Sequence, residues 1–147
     1  MLSQTLTELF TRDIQKIKTE IEAYSSEEAI WKNAEGISNC GGNLSLHLSG
    51  NLQHFLGAIL GDTNYVRDRE FEFGGKVSRK ELLDDLDAAI ISVTETLNGM
   101  TGEDIKKDFP IEIFGGTIKT ELFLLHLYSH LSYHLGQINY HRRLLDK

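Results

Sequence analysis

Three histidines stand four residues apart near the end of the sequence, at His126, His130 and His134. The surrounding residues have the apolar periodicity of a helix, in which residues four apart lie on one face, a turn from each other. Neutral imidazole is the commonest metal ligand among side chains, and two histidines at this spacing can reach the same ion. The remaining histidines include His47 and His54, seven residues apart on another helical segment. This clustering favours a metal site.

The second helical segment supplies His47 and His54, and His47 is the candidate for a third ligand. With His130 and His134 it supplies three nitrogen donors and leaves a position open for water or substrate, as in catalytic zinc sites. Nickel, iron and manganese also accept such ligands. The zinc-protease motif HExxH is absent, because the residues between His130 and His134 include no glutamate. A histidine pair at this spacing also arises without a metal, and both side chains would then be structural.

Composition narrows the class of protein. The chain has 147 residues, 40% of them hydrophobic and 25% charged, which suits a single domain spanning residues 1–147. The formal net charge of −7 disfavours nucleic acid and anionic membranes as partners. The single cysteine, Cys40, has no partner for a disulfide within the chain, and no apolar run reaches the ~18 residues that span a bilayer. We therefore expect a soluble, cytoplasmic protein in which Cys40 is a buried or loop thiol.

The spacing of apolar residues predicts an all-α fold. Apolar side chains recur at three- and four-residue steps along four segments, and only one proline is present. The predicted helices run from about Ser3 to Tyr24, from Leu44 to Leu60, from the Ser78–Glu81 capping box to Leu97, and from Thr117–Thr120 to Leu145. Helices of this length pack most simply as a four-helix bundle. A short extended segment is predicted before the last helix, over Asp108–Phe114 with a turn at Gly115-Gly116.

The same pattern assigns environments to side chains outside the site. Asn43 is expected to cap the second helix, and Trp31 and Ile37 to anchor the connector that precedes it. Asp13 falls on the polar face of the first helix and is expected to face water. His141 follows two turns after the histidine pair, beside two arginines, and is expected to be a solvated residue of the last helix.

The segment Arg67-Asp68-Arg69-Glu70-Phe71-Glu72-Phe73 is predicted to be a loop before the third helix. Its arginines, together with Arg79, would either bind an anionic cosubstrate near an opening or form local salt bridges. Three tyrosines on the last helix would either donate protons near a substrate or pack in the core or an interface, namely Tyr128, Tyr133 and Tyr140.

Two blocks of the sequence resemble DinB-like proteins, specifically an uncharacterised branch of that superfamily. One block is Asn43–Leu52 followed by Arg67–Phe71, and the other is His130–Ile138, which resembles the C-terminal HxxxHxGQ motif. The match covers most of the chain in the same order. The resemblance implies an up-down-down-up four-helix bundle, often dimeric, with a divalent metal held by three histidines, which correspond to His47, His130 and His134.

The resemblance also bears on residues around those ligands. Gly136 would permit close helix packing, and Gln137 would lie near the site or hold a neighbouring helix. His54 would be either an extra base beside the site or a polar substitution. The candidates for a layer supporting the metal, or for a substrate pocket, are therefore Asn51, His54, His126 and Gln137.

The resemblance further implies an enzyme acting on a small molecule. The wider superfamily includes transferases and isomerases that use low-molecular-weight thiols, and a three-histidine metal lowers the pKa of a bound thiol. We therefore expect a thiol-dependent S-transferase for small electrophiles, with zinc or nickel as the metal ahead of iron or manganese. A homodimer is expected, with Phe71 and Phe73 as possible contacts. The alternatives are a metal-dependent hydrolase and a non-catalytic metal-binding or stress-response module.

Overall fold

A computed structural model describes residues 1–147, and every regular element in it is a helix. The four long helices are α1 (Leu2–Ala23), α3 (Gly41–Leu52), α5 (Arg79–Asn98) and α7 (Thr120–Leu145). Three short helices lie in the connectors, namely α2 (Glu27–Ile30), α4 (Arg69–Gly74) and α6 (Gly102–Lys106). Helix α3 continues directly into a π-helical segment, Gln53–Leu60. The predicted all-α four-helix bundle is confirmed.

The order of the long helices around the bundle differs from their order in the chain. Helix α1 packs against α5 and α7, and α3 packs against the same two helices. Helices α1 and α3 therefore lie on one diagonal, and α5 and α7 on the other. A chain that passes from α1 to α3, or from α5 to α7, has to cross an end of the bundle. Each of these two connectors carries a short helix, α2 or α6.

The apolar stripes of the four long helices meet in one core cluster of 26 buried residues. This burial supplies most of the driving force for packing the amphipathic helices together. No helix is long and apolar enough to cross a membrane. The stripe residues that are buried in the core of α1, α5 and α7 include Leu6, Phe10, Ile14, Ile17, Ile21, Leu82, Leu86, Val93, Leu97, Leu127, Leu131 and Ile138.

One of the two predicted helix caps is confirmed. The side chain of Ser78 accepts a hydrogen bond from the Glu81 backbone N–H at 3.2 Å and begins α5. The prediction for Asn43 is wrong, because α3 begins earlier and Cys40 is its N-cap residue. The buried Cys40 sulfur accepts from the Asn43 backbone N–H at 3.4 Å. The Asn43 Oδ1 atom accepts from the Cys40 thiol at 2.9 Å, and the amide N–H groups of Asn43 bind another element.

The connector between α1 and α3 is anchored by one of the two expected residues and by His141 of α7. Trp31 is buried as predicted, whereas Ile37 is 44% exposed and anchors nothing. His141 is also buried, so its predicted solvation is wrong. Its Nδ1 accepts from the Tyr24 hydroxyl at 2.7 Å, and its Nε2–H donates to the Lys32 carbonyl at 2.7 Å. This pair of bonds ties α7 to the connector.

The extended segment before α7 forms two isolated bridges and no strand. Asp108 pairs with Lys119, and Ile113 pairs with Gly116 across a tight turn. The predicted turn at Gly115-Gly116 is therefore present, and Gly115 has a φ of 78°, a conformation that glycine adopts without strain.

Asp13 is buried inside the α1–α7 contact, so the prediction that it faces water is wrong. Arg12 Nε donates to Asp13 Oδ1 at 2.8 Å, and the Tyr128 hydroxyl donates to Asp13 Oδ2 at 2.7 Å. Burial alone would raise the pKa of Asp13, but these hydrogen bonds outweigh it and hold that pKa below its usual value. Tyr128 therefore has a structural role.

Replacing Tyr128 with phenylalanine leaves the buried Asp13 carboxylate with one donor fewer. Tyr128→Phe is expected to lower the free energy of unfolding by about 1–2 kcal/mol, measured by urea denaturation. The matched control is Tyr133→Phe on the same helix, where the side chain is 66% exposed, and its effect should stay within about 0.5 kcal/mol. Equal effects of the two substitutions would contradict the structural role of Tyr128.

Candidate metal centre

Helices α3 and α7 face each other and bring three histidine side chains to one point. The Nε2 atom of His130 lies 3.1 Å from His47 Nε2 and 3.1 Å from His134 Nε2. The ligand atoms of all three residues lie within 4.8 Å of one another. His47 is buried, and His130 and His134 are half-buried. The three predicted ligands are therefore adjacent in space, although 83 residues separate His47 from His130.

Helix α4 places a carboxylate behind His47. Glu72 Oε1 lies 3.0 Å from His47 Nδ1. Arg67 donates to both carboxylate oxygens, from Nε to Oε2 at 2.8 Å and from Nη2 to Oε1 at 2.9 Å. Burial raises the pKa of Glu72, but the bonds from His47 and Arg67 outweigh burial and hold that pKa below its usual value. Glu72 is therefore ionised and can only accept hydrogen bonds.

The position of α4 is fixed by its own capping and by a bond from α3. The Asp68 side chain accepts from the Phe71 backbone N–H at 3.0 Å, which begins the helix. The Asn43 side chain donates to the backbone carbonyls of Glu72 and Gly75, each at 3.1 Å. The segment predicted to be a loop is thus a short helix that holds Glu72 against the site.

The hydrogen-bond partners determine which nitrogen of each imidazole carries the proton. His47 Nδ1–H donates to the Glu72 carboxylate, so His47 Nε2 presents a lone pair. Arg67 Nη2 also lies 3.4 Å from that Nδ1, but the carboxylate is closer and cannot donate. On α7, His134 Nδ1 lies 2.6 Å from Gln137 Oε1 and donates to it, so His134 Nε2 also presents a lone pair.

These two lone pairs meet at His130 Nε2, which has at most one proton to offer. Whichever neighbour receives that proton, the lone pair of the other neighbour is left without a donor. His130 Nδ1 is buried and has no hydrogen-bond partner. The three imidazoles therefore cannot satisfy one another, whereas a cation between their Nε2 atoms would accept all the lone pairs.

The charge state of the cluster also fits a metal ion. Burial, followed by the neighbouring histidines, lowers the pKa of His130 to about 4, and burial lowers the pKa of His134. Both imidazoles are therefore neutral at pH 7, as a metal ligand has to be. Two nitrogens that bind one zinc ion at about 2.1 Å lie about 3.4 Å apart in tetrahedral geometry, close to the 3.1 Å found here. The three residues could hold a divalent ion.

The sequence profile described as "Protein of unknown function (DUF1572)" matches residues 2–147. The chain belongs to this family. The family is DinB-like, which confirms the resemblance drawn from the two sequence blocks. No curated protein matches the chain.

A solved structure shows the same fold. The crystal structure of a DinB-like protein from Bacillus cereus ATCC 10987, at 2.01 Å resolution, is similar to this chain with a TM-score of 0.75. The alignment covers 95% of this chain and 90% of that one, at 18% sequence identity. At this identity the likeness establishes the bundle and leaves the chemistry to the residues of this chain.

The other candidate residues differ in how close they come to the cluster. Gln137 contacts His134, and Asn51 is buried one turn after His47, with its Oδ1 atom unpartnered. His54 lies on the π-helical segment and packs against the Phe55 ring at 4.7 Å between centroids, and burial lowers its pKa. His54 is not within the group of ligand atoms that converge.

Two further expectations for α7 have definite outcomes. His126 is exposed and packs against the Phe114 ring, with 5.0 Å between centroids, so it does not join the cluster. Gly136 was expected to permit close helix packing, but an added Cβ there would meet nothing within 4 Å. That expectation is wrong, because Gly136 faces an open cavity rather than a helix.

Glu72 is the functional residue that the sequence pattern does not reveal. It follows directly after the block Arg67–Phe71, and a six-residue helix has too few apolar positions to show a helical period. The spacing of Arg67 and Glu72 is the only sequence signal for their ion pair. For these residues the expectation of local salt bridges is met, with Glu72 as the acceptor rather than Glu70.

Gly50 leaves the space that the Glu72 carboxylate occupies. A Cβ at this position of α3 would collide with the carboxyl group. Gly50→Ala is therefore expected to displace Glu72 from His47 and to weaken metal binding by about 10- to 100-fold, measured by competition with a chromophoric chelator. The matched control is Gly136→Ala, also on a helix, where a Cβ meets nothing.

The control should keep the metal affinity and stabilise the protein by about 0.5–1 kcal/mol, since alanine replaces glycine within a helix. An unchanged metal affinity in Gly50→Ala would show that Glu72 does not orient the ligand.

Proposed function

We propose that the protein is a divalent-metal-dependent enzyme that joins a low-molecular-weight thiol to small electrophiles. His47, His130 and His134 would hold the ion, with zinc or nickel favoured by an all-imidazole site and iron or manganese also compatible. The observation that carries the proposal is the convergence of three imidazoles on one point, with the rings of His47 and His134 oriented by Glu72 and Gln137.

A divalent ion in this site would supply Lewis acidity that lowers the pKa of a bound thiol. The protein's own residues would keep the site oriented for that purpose. The Arg67–Glu72 ion pair would hold the His47 ring, and Gln137 would hold the His134 ring. The ring of Phe73 lies over His47 with 4.7 Å between centroids and would exclude water from that side.

Two features favour an enzyme over a non-catalytic metal-binding module. No fourth histidine, cysteine or carboxylate joins the cluster, so the protein would leave part of the coordination sphere to another ligand. A cavity of about 780 Å³ lies next to the cluster and includes His134 and Gln137 in its wall. A metal kept purely for structure usually has four protein ligands and no such cavity.

We propose further that residues 1–147 act as one domain and that the protein forms a homodimer. The single core cluster draws on all four long helices, which supports one domain. Phe71 and Phe73 on α4 are 43% and 38% exposed, and Val66 just before them is exposed as well. These apolar side chains would supply the contact between two copies.

The test is the formation of a thioether from a thiol and 1-chloro-2,4-dinitrobenzene, followed by absorbance. Protein loaded with zinc or nickel is expected to accelerate the reaction for at least one small thiol, and chelation should remove the acceleration. His134→Ala should lower the rate at least about a hundredfold, because one of three ligands is lost. Ser132→Ala, an exposed position between the two α7 ligands, should keep the rate.

A metal-dependent reaction of a nitrophenyl ester that needs no thiol, with no thioether formed, would contradict the transferase and favour a hydrolase. A rate that is the same with and without metal would contradict both.

A further inference from the structure

A cavity of about 780 Å³ opens between the 34–39 segment, the start of α3 and the C-terminal half of α7. Its volume falls within the range of about 300–1,000 Å³ that small-molecule sites occupy. His134 and Gln137 form part of its wall, so a ligand in the cavity would lie beside the cluster of three histidines. The larger apolar side chains that line it are Ile37, Leu44, Tyr133, Tyr140, Leu144 and Leu145.

The wall of the cavity contains no cation. Among its 15 residues there is no lysine or arginine, and Glu35 is the only carboxylate. A carboxylate or phosphate placed inside would lose its hydration without gaining a positive partner, which is unfavourable. The overall charge of −7 would add to the repulsion.

The basic residues around the cavity are engaged elsewhere. Lys32 donates to the Leu145 carbonyl at 3.1 Å, and Arg142 pairs with Glu20 at 2.6 Å. Arg143 lies over the Tyr140 ring, 5.3 Å from its centroid, and is not part of the cavity wall. On the other side of the cluster, Arg67 is held by Glu72. None of these four residues lies in the cavity wall, so an anionic ligand would form no ion pair inside the cavity.

We propose that the cavity binds an uncharged, largely apolar small molecule, with its reacting end at His134. Calling this ligand a substrate rests on the proposed function, whereas its charge and polarity follow from the cavity itself. The apolar walls favour a hydrocarbon or aromatic body, because burying it removes apolar surface from water. The anionic groups of any cosubstrate stay outside the cavity.

The experiment compares two probes of the same shape and different charge, 4-phenylbutan-1-ol and 4-phenylbutanoate, by isothermal titration calorimetry. The full chain is used as purified and again after metal removal, because a carboxylate could bind a metal ion directly. In the metal-free protein the alcohol is expected to bind at least about tenfold more tightly than the carboxylate. Binding of the alcohol should persist whether or not metal is present.

Two variants locate the binding in this cavity. An added Cβ at Gly136 meets nothing within 4 Å, so the ring of Gly136→Phe would occupy the cavity and should abolish binding of the alcohol. Gly102→Phe is the matched control, at an exposed helical glycine that is equally unobstructed and outside the cavity, and it should bind the alcohol normally. Ile37→Arg places a cation in the wall and should raise the affinity for the carboxylate at least tenfold.

Tighter or equal binding of the carboxylate to the metal-free wild type would overturn the proposal. So would binding of the alcohol that survives in Gly136→Phe. Sedimentation of the wild type as a dimer that Gly136→Phe converts to a monomer would show that a second copy covers the cavity instead. Failure of the metal-dependent thiol reaction with the probe results intact would refute the proposed function and leave the assignment of the cavity standing.

Discussion

A buried carboxylate determines how the three-histidine cluster is charged and oriented. Glu72 is only 4% exposed, and it stays ionised because Arg67 binds both of its oxygens. It then draws the proton of His47 to Nδ1, so that the Nε2 lone pair points toward α7. The carboxylate keeps this place because Asn43 holds α4 to α3 and because Gly50 leaves room beside it. Residues outside the cluster therefore orient His47 for binding a cation.

The bundle supplies the rigid part of the site and the connectors supply the rest. Helices α3 and α7 pack against each other, so ligands on their facing sides meet. The α1–α3 connector crosses the end of the bundle and forms one wall of the cavity, and the connector between the π-helical segment and α5 carries Glu72 on α4. Variation in connectors of this kind changes chemistry while the core is kept.

Periodicity in the sequence predicts the bundle and the pairing of His130 with His134, because both depend only on residues a few positions apart. It does not predict Glu72, since a helix of six residues shows no period and the ion pair with Arg67 is visible only in three dimensions. Asp13 and His141 were assigned to solvent for a related reason. Each is a polar residue on a largely polar stretch, and each is buried with a hydrogen bond from a tyrosine. Asp13 accepts from Tyr128 on α7, and His141 accepts from Tyr24, the residue that ends α1.

Metal content measured directly on the chain tests the central claim that these histidines form one site. The protein would be purified without a histidine tag, incubated with zinc, nickel or manganese, desalted and analysed by inductively coupled plasma mass spectrometry. We predict about one equivalent of metal per chain for the wild type and for His126→Ala, and loss of that metal in His47→Ala, His130→Ala and His134→Ala. A wild type that stays metal-free, or variants that retain the full equivalent, would contradict the claim and leave the histidines with a structural role.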